Sequence, residues 1–142
     1  MKMVFTSQVQ AEKLGDADPE WALISITSPN GAPKLGHWDH LLRLEFDDID
    51  PKILPIGSNK PNIERTSFSA DQAISILLFL LGLPVEVKFL VVHCWAGQSR
   101  SAGVIMALKE LFGWECDQLA PNYNRHVYTT LLSTARSLKE LI

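Results

Sequence analysis

The stretch from Lys88 to Gly103, KFLVVHCWAGQSRSAG, constrains the fold more than any other part of the chain. It is apolar and β-branched up to Val92 and turns polar at His93 and Cys94. It reaches Arg100 and Ser101 and then enters an apolar helical pattern. That order predicts a strand over Lys88–Val92, a tight loop, and a helix. The residues between Cys94 and Arg100 have to wrap with their backbone N–H groups directed at one centre. Such a nest at a helix N-terminus holds a tetrahedral oxyanion by dipole and direct hydrogen bonds. Gly97 permits a backbone conformation there that would strain other residues. Arg100 can close the ring with a fork on two phosphate oxygens, and positive charge at a helix start opposes the dipole unless a ligand uses it. Cys94 then lies at the bottom of a positive bowl that should stabilise its thiolate.

The rest of the chain alternates strand and helix signals. Met3–Thr6 predicts a short edge strand, with Ser7 capping a brief helix that ends near Gly15. Trp21–Thr27, WALISIT, is bounded by Ser28-Pro29-Asn30-Gly31 and has the composition of a buried strand. His40–Phe46 alternates Leu42, Leu44 and Phe46 against Arg43 and Glu45, which suits a strand nearer an edge. Asp47–Phe68 carries three prolines and no sustained period, and an irregular segment of that length is usually functional. Ser69 and Gln72 form a capping box for a helix ending at Leu81, before Gly82 and Pro84. Nearly all apolar past its first turn, that helix is expected to be a covered core element. After Ser101, Val104, Leu108, Leu111 and Phe112 share one helical face, Lys109 and Glu110 face out, and Gly113 stops the helix. Trp114–Pro121 reads as a connection, and Asn122–Ile142 as a closing amphipathic helix with Val127, Leu131, Ala135, Leu138 and Leu141 at helical spacing. The expected fold class is α/β, one domain over residues 1–142, with a small, mostly parallel sheet flanked by helices.

With 46% hydrophobic and 20% charged residues, the chain has the composition of a globular protein and not of a disordered one. A net charge of −3 gives no reason to expect nucleic acid or an anionic membrane as partner, so any attraction for an anion must be local to a site. Cys94 and Cys116 are the only cysteines and indicate no disulfide framework. The N-terminal MKMVFTSQVQAEK lacks a signal-peptide core, and the apolar run Ile76–Val85 is too short to span a bilayer. A cytoplasmic monomer is the expectation. His37, His40 and His126 match no metal-ligand spacing, and no metal or cofactor is expected.

The run His93-Cys94-x-x-Gly97-x-x-Arg100-Ser101 resembles the signature of the cysteine-dependent protein tyrosine phosphatases. Its continuation, Ser99-Arg100-Ser101-Ala102-Gly103, is most similar to the small dual-specificity branch with its bacterial and phage relatives. The resemblance spans residues 39 to 132. It implies the phosphatase α/β sandwich, with the phosphate loop between a central strand and a helix. It implies Cys94 as nucleophile of a cysteinyl-phosphate intermediate, and phosphate binding by Cys94, Trp95, Ala96, Gly97, Gln98, Ser99 and Arg100. His93 would orient the loop, and Ser101 would steady the thiolate when it leaves. A general acid would come from Leu44-Glu45-Phe46-Asp47-Asp48. Relatives of the form Phe-Asp-Asp use the second aspartate, which implies Asp48, ahead of Asp47 and Asp50. Pro121-Asn122 resembles a step at the pocket rim of small relatives, although the segment before it looks shortened.

Relatives acting on inositol phospholipids carry lysines in the loop, and this loop has none. Lys52, Lys60 and Arg65 could meet a second anionic group but read more simply as solvated loop charges, and Cys116 could trap an oxidised Cys94 but reads more simply as an inert cysteine. The residues themselves leave plainer readings open: Cys94 as a small core side chain, Ser101 as a helix cap, the aspartates as solvated loop charges. The function expected is hydrolysis of a phosphomonoester, on a phosphorylated protein or a small molecule. Two alternatives stand beside it. One is a non-catalytic phospho-ligand binding module; the other is a phosphatase of nucleotides, RNA 5′-phosphates or inositol phosphates.

Overall fold

The structure, a computed structural model, describes residues 1–51 and 66–141. Strands β1 (Lys2–Ser7), β2 (Trp21–Thr27), β3 (His40–Glu45) and β4 (Phe89–Cys94) form one sheet. Its order is β1-β4-β2-β3, and every neighbouring pair is parallel. The helices are α1 (Gln8–Lys13), α2 (Ala70–Leu81), α3 (Arg100–Phe112) and α4 (Arg125–Glu140). This is the expected α/β class. Parallel strands must be covered on both faces, which is why the central strands read as near-continuous apolar runs.

Alternation along the strands sorts side chains between two cores. Ala22, Ile24 and Ile26 of β2, with Leu90, Val92 and Cys94 of β4, join the main core beneath α2, α3 and α4. Leu23 and Val91 point the other way, onto Trp38 and the half-buried Ala17, Trp21 and Leu35. The parity places Cys94 towards α3 and its neighbour His93 on the opposite face. At the outer edge of β1 the Gln118 amide stands in for a further strand. It accepts from Phe5 N at 2.8 Å and donates to Phe5 O at 2.9 Å, while Met3 N donates to Glu115 O at 2.8 Å. That occupies backbone groups that would otherwise template pairing with another chain.

Several expectations need correcting. β4 continues past Val92 through Cys94, because His93 and Cys94 still pair with Thr6 and Ser7 of β1 and His93 with Ser25 of β2. Helix α2 has the expected Ser69–Gln72 capping box, yet it is not covered. It buries Ala73, Ile76, Leu77 and Leu80, while Leu78 is 62% and Leu81 75% exposed. Only the face against α4 and the sheet is occupied. Phe112 lies outside the buried face of α3 and stacks on Trp114 at 4.6 Å. α4 starts at Arg125 with Asn124 as its cap, three residues later than Asn122, and Leu141 is exposed. Lys52, Lys60 and Arg65 lie outside the described residues, as does most of the Asp47–Phe68 segment. Its described ends are tied together: Asp47 N donates to Thr66 O at 2.7 Å, and Thr66 N to Asp47 Oδ2 at 2.9 Å. Among the described residues, no helix is long and apolar enough to cross a membrane.

Candidate active site

β4 lies between β1 and β2, and its carboxyl end opens into residues 95–99 and the start of α3. Ligand sites of open parallel sheets sit at this end of the strands. Gly97 has φ +69°. A Cβ there would press on the Thr6 carbonyl carbon and Ser7 N, and would stand 2.7 Å from Thr6 O. The end of β1 therefore backs the loop so closely that only glycine fits, for space and for backbone conformation alike. Gln8 N adds a hydrogen bond to Trp95 O at 3.2 Å.

Cys94 is 2% exposed at the floor of this loop, with Sγ 3.1 Å from Ser101 Oγ. Burial alone pushes its thiol up. The Ser101 hydroxyl and the backbone N–H groups of Ser101, Gly97 and Ser99 outweigh burial and bring it below its ordinary value. Ser101 is not the helix cap. Ser99 occupies that position and makes no side-chain cap bond, while the Ser101 hydroxyl is committed to the sulfur.

Arg100, the first residue of α3, is buried at 6% exposure. Its Nη1 donates to Phe46 O at 2.9 Å and Ser28 Oγ at 3.3 Å. Its Nε is enclosed with no hydrogen-bond partner among the described residues. A buried cationic donor left unsatisfied costs about 1–3 kcal/mol or more, and an oxyanion in the bowl would remove that cost. The bonds through Nη1 to Phe46 and Ser28 hold the guanidinium in place.

His93 belongs to a polar row across the sheet. It pairs in register with Ser25, and Ser25 with Arg43. His93 Nε2 lies 2.6 Å from Ser25 Oγ, and Nδ1 3.5 Å from Cys94 O. Since a carbonyl can only accept, the proton belongs on Nδ1, and the Ser25 hydroxyl donates to Nε2. Burial holds His93 below its ordinary pKa against the bond to the Cys94 carbonyl, and the Arg43 charge acts with burial. Arg43 donates to Ser25 O and Ser25 Oγ at 3.0 Å, Thr27 Oγ1 at 3.0 Å and Gly31 O at 3.3 Å. One guanidinium from the edge strand thus fixes both the partner of His93 and the Ser28–Gly31 turn that touches Arg100.

The three aspartates separate. Asp47 Oδ2 accepts from Thr66 N at 2.9 Å. Asp48 Oδ1 accepts from Ser99 Oγ at 2.7 Å and Asn124 Nδ2 at 2.9 Å, which brings this carboxyl onto the loop of residues 95–99. Asp50 is half-buried just beyond. The Trp95, Ala96 and Gln98 positions are exposed, Trp95 at 67%. A cleft of about 320 Å³ runs from Arg100 between Trp95, Gln8 and residues 28–32. Asn122 lies on the other side of the loop, near Gln98 and Phe5. Cys116 is buried, its thiol 3.7 Å from Gln118 Oε1. His37 binds Asp39, and His126 lies 2.8 Å from Phe68 O; among the described residues no His/Cys/Asp/Glu group gathers that could hold a metal ion.

Ser25, Ser28, Arg43 and Asn124 also belong to the site, and no sequence motif marks them. Ser25, the polar residue in the middle of WALISIT, was the available signal. The others depend on strand register and loop closure, which a single sequence does not display.

No family model matches the sequence, and no curated protein matches it. Among solved structures the chain is similar to one described as the crystal structure of Tk-PTP in the active form. Identity is 14%, over 99% of this chain and 91% of that one, with a TM-score of 0.41.

Proposed function

We propose that the protein is a cysteine-dependent phosphomonoester hydrolase of the tyrosine or dual-specificity type. The observation that carries this reading is the pairing of a thiol lowered by hydroxyl and amide donors with a buried arginine whose Nε has no partner among the described residues. A lowered thiol and a buried cation flanking one short loop at a helix start suit attack on a bound tetrahedral oxyanion.

In the proposed reaction, the loop amides and Arg100 bind the three non-bridging phosphate oxygens. The Cys94 thiolate forms an S–P bond in line as the P–O bond to the leaving group breaks. Asp48 gives its proton to the departing oxygen. A water then attacks phosphorus and loses its proton to the Asp48 carboxylate. The S–P bond breaks, releasing phosphate, and the Ser101 hydroxyl steadies the thiolate that leaves. Both half-reactions use the same groups and return the enzyme to its starting state. Arg100 is worth most in the transition state, where charge spreads over the equatorial oxygens.

A binding module would need the amides and the arginine but has no use for a lowered thiol; this favours catalysis over binding alone. The expected substrates are phosphorylated proteins or small phosphomonoesters, with a single phosphate per site, because the loop residues 95–99 contain no cation. The test is turnover of a generic aryl phosphate at mildly acidic pH, inhibited by vanadate, followed by a panel of phosphopeptides, nucleotides, RNA 5′-phosphates and inositol phosphates. Turnover that survives Cys94→Ser would sink the assignment.

A further inference from the structure

We infer that Asn124 is a positioning residue for proton transfer, its amide holding the Asp48 carboxyl over the phosphate loop; this rests on the phosphatase reading above. Asn124 is 8% exposed and uses every polar group it has. Its Oδ1 accepts from Val127 N at 3.0 Å and caps α4. Its Nδ2 donates to Asp48 Oδ1 at 2.9 Å and to Ile49 O at 3.2 Å. Its backbone N donates to Ser99 O at 3.0 Å. One residue therefore joins three elements that are far apart in sequence: the phosphate loop, the aspartate loop and the last helix.

The division of labour within the amide is what makes this more than a helix cap. The oxygen serves α4, and the nitrogen serves Asp48. Asp48 is itself exposed, so its side chain would otherwise move freely among rotamers. Two donors on Oδ1, from Ser99 and Asn124, fix the carboxyl plane. They also decide which oxygen can carry a proton. With Oδ1 accepting from both, the transferable hydrogen belongs on Oδ2. Orientation of this kind matters because proton transfer demands hydrogen-bond reach to the leaving oxygen.

The amide's two ends can be separated by mutation. Asn124→Ser retains an oxygen able to cap α4 but has no group that reaches Asp48; Asn124→Ala loses both. Each is compared with wild type on phenyl phosphate, whose phenoxide needs a proton to leave, and on a dinitrophenyl phosphate, which departs unprotonated. Asp48→Asn sets the full loss. For Asn124→Ser the expected result is a kcat/KM, which reports formation of the cysteinyl phosphate, lowered about tenfold or more on phenyl phosphate and less than about threefold on the activated ester. Its unfolding midpoint should stay near wild type, and Asn124→Ala should show the same split with a lower midpoint. Equal losses on the two esters, or none on phenyl phosphate, would overturn the assignment while leaving the phosphatase reading standing. A wild-type protein that turns over neither ester would overturn both.

Discussion

Alanine at Gly97 is the perturbation whose cost can be worked out most completely, because the chain carries its own control. Gly97 and Gly113 have nearly the same left-handed backbone, φ +69° and +68°. An alanine in that region costs about 1 kcal/mol. At Gly113 nothing lies within 4 Å of an added Cβ, so that conformational cost is the whole effect. At Gly97 the Cβ meets β1, with Thr6 O at 2.7 Å and the adjoining carbonyl carbon and Ser7 N closer still. Carbon contacts are comfortable near ~3.5–4 Å, so one partner must move by about 1 Å. Neither is a side chain that can rotate away; both are backbone. Overpacking of this kind costs about 1–3 kcal/mol. The sum is about 2–4 kcal/mol for Gly97→Ala against about 1 kcal/mol for Gly113→Ala, a large share of the ~5–15 kcal/mol that holds a typical domain together. Urea unfolding of the two variants gives the difference directly. The loop should yield rather than the strand, so phosphate or vanadate affinity should also fall at least about tenfold in Gly97→Ala, the equivalent of about 1.4 kcal/mol. Gly113→Ala should bind as wild type does. Equal destabilisation by the two substitutions, with anion affinity unchanged in both, would refute the claim that β1 shapes the bowl.

Other consequences can be checked with standard assays. Iodoacetamide should alkylate Cys94 with an apparent pKa below 9.0, phosphate should protect it, and Ser101→Ala should raise that pKa by removing a donor to the sulfur. Because the folded thiol lies below its unfolded value, ionisation of Cys94 adds stability as pH rises from the folded value towards 9.0, and that part is lost as pH falls back through the folded value. His93 gives the mirror case for a base. With its folded pKa below 6.5, the unfolded chain binds the proton first, so stability should drop as pH falls from 6.5 towards the folded value, and NMR titration should find His93 neutral throughout that window. Arg43→Met should cost about 1–3 kcal/mol in chemical denaturation, discounted for the partial exposure of the guanidinium, and Arg43→Lys should recover little because a single ammonium cannot span Ser25, Thr27 and Gly31.

Much of this molecule was legible in the sequence, for reasons that can be named. WALISIT announces a buried strand because a central parallel strand has both faces covered, and the observed β2 has those bounds. Ser7 and Ser69 announce helix starts because a hydroxyl that bonds the N–H two or three residues on is a local event. Asp48 bonds to the loop of residues 95–99 and Asp47 to Thr66, although both fit the spacing. That outcome depends on Ser99 and Asn124, which close on the aspartate from 51 and 76 residues away. Leu78 and Leu81 misled for the opposite reason. Their apolarity suggests a covered helix, but hydrophobicity records only what could be buried, and here nothing among the described residues covers that face. The row from Arg43 through Ser25 to His93 depends on strand order and register, and single-sequence periodicity carries neither.

The proposed reaction requires that Cys94 become phosphorylated and then give the phosphate to water. The direct measurement is to mix the protein with an aryl phosphate, quench in acid within the first turnovers, and find which residue carries phosphoryl by peptide mass. The expected result is one phosphoryl group on the peptide containing Cys94. With a dinitrophenyl phosphate, whose leaving group needs no proton, it should build up further in Asp48→Asn, where hydrolysis of the intermediate lacks its base; it should disappear in Cys94→Ser. Phosphate release by the wild-type protein with no phosphoryl on Cys94 at any quench time, or release undiminished in Cys94→Ser, would contradict it.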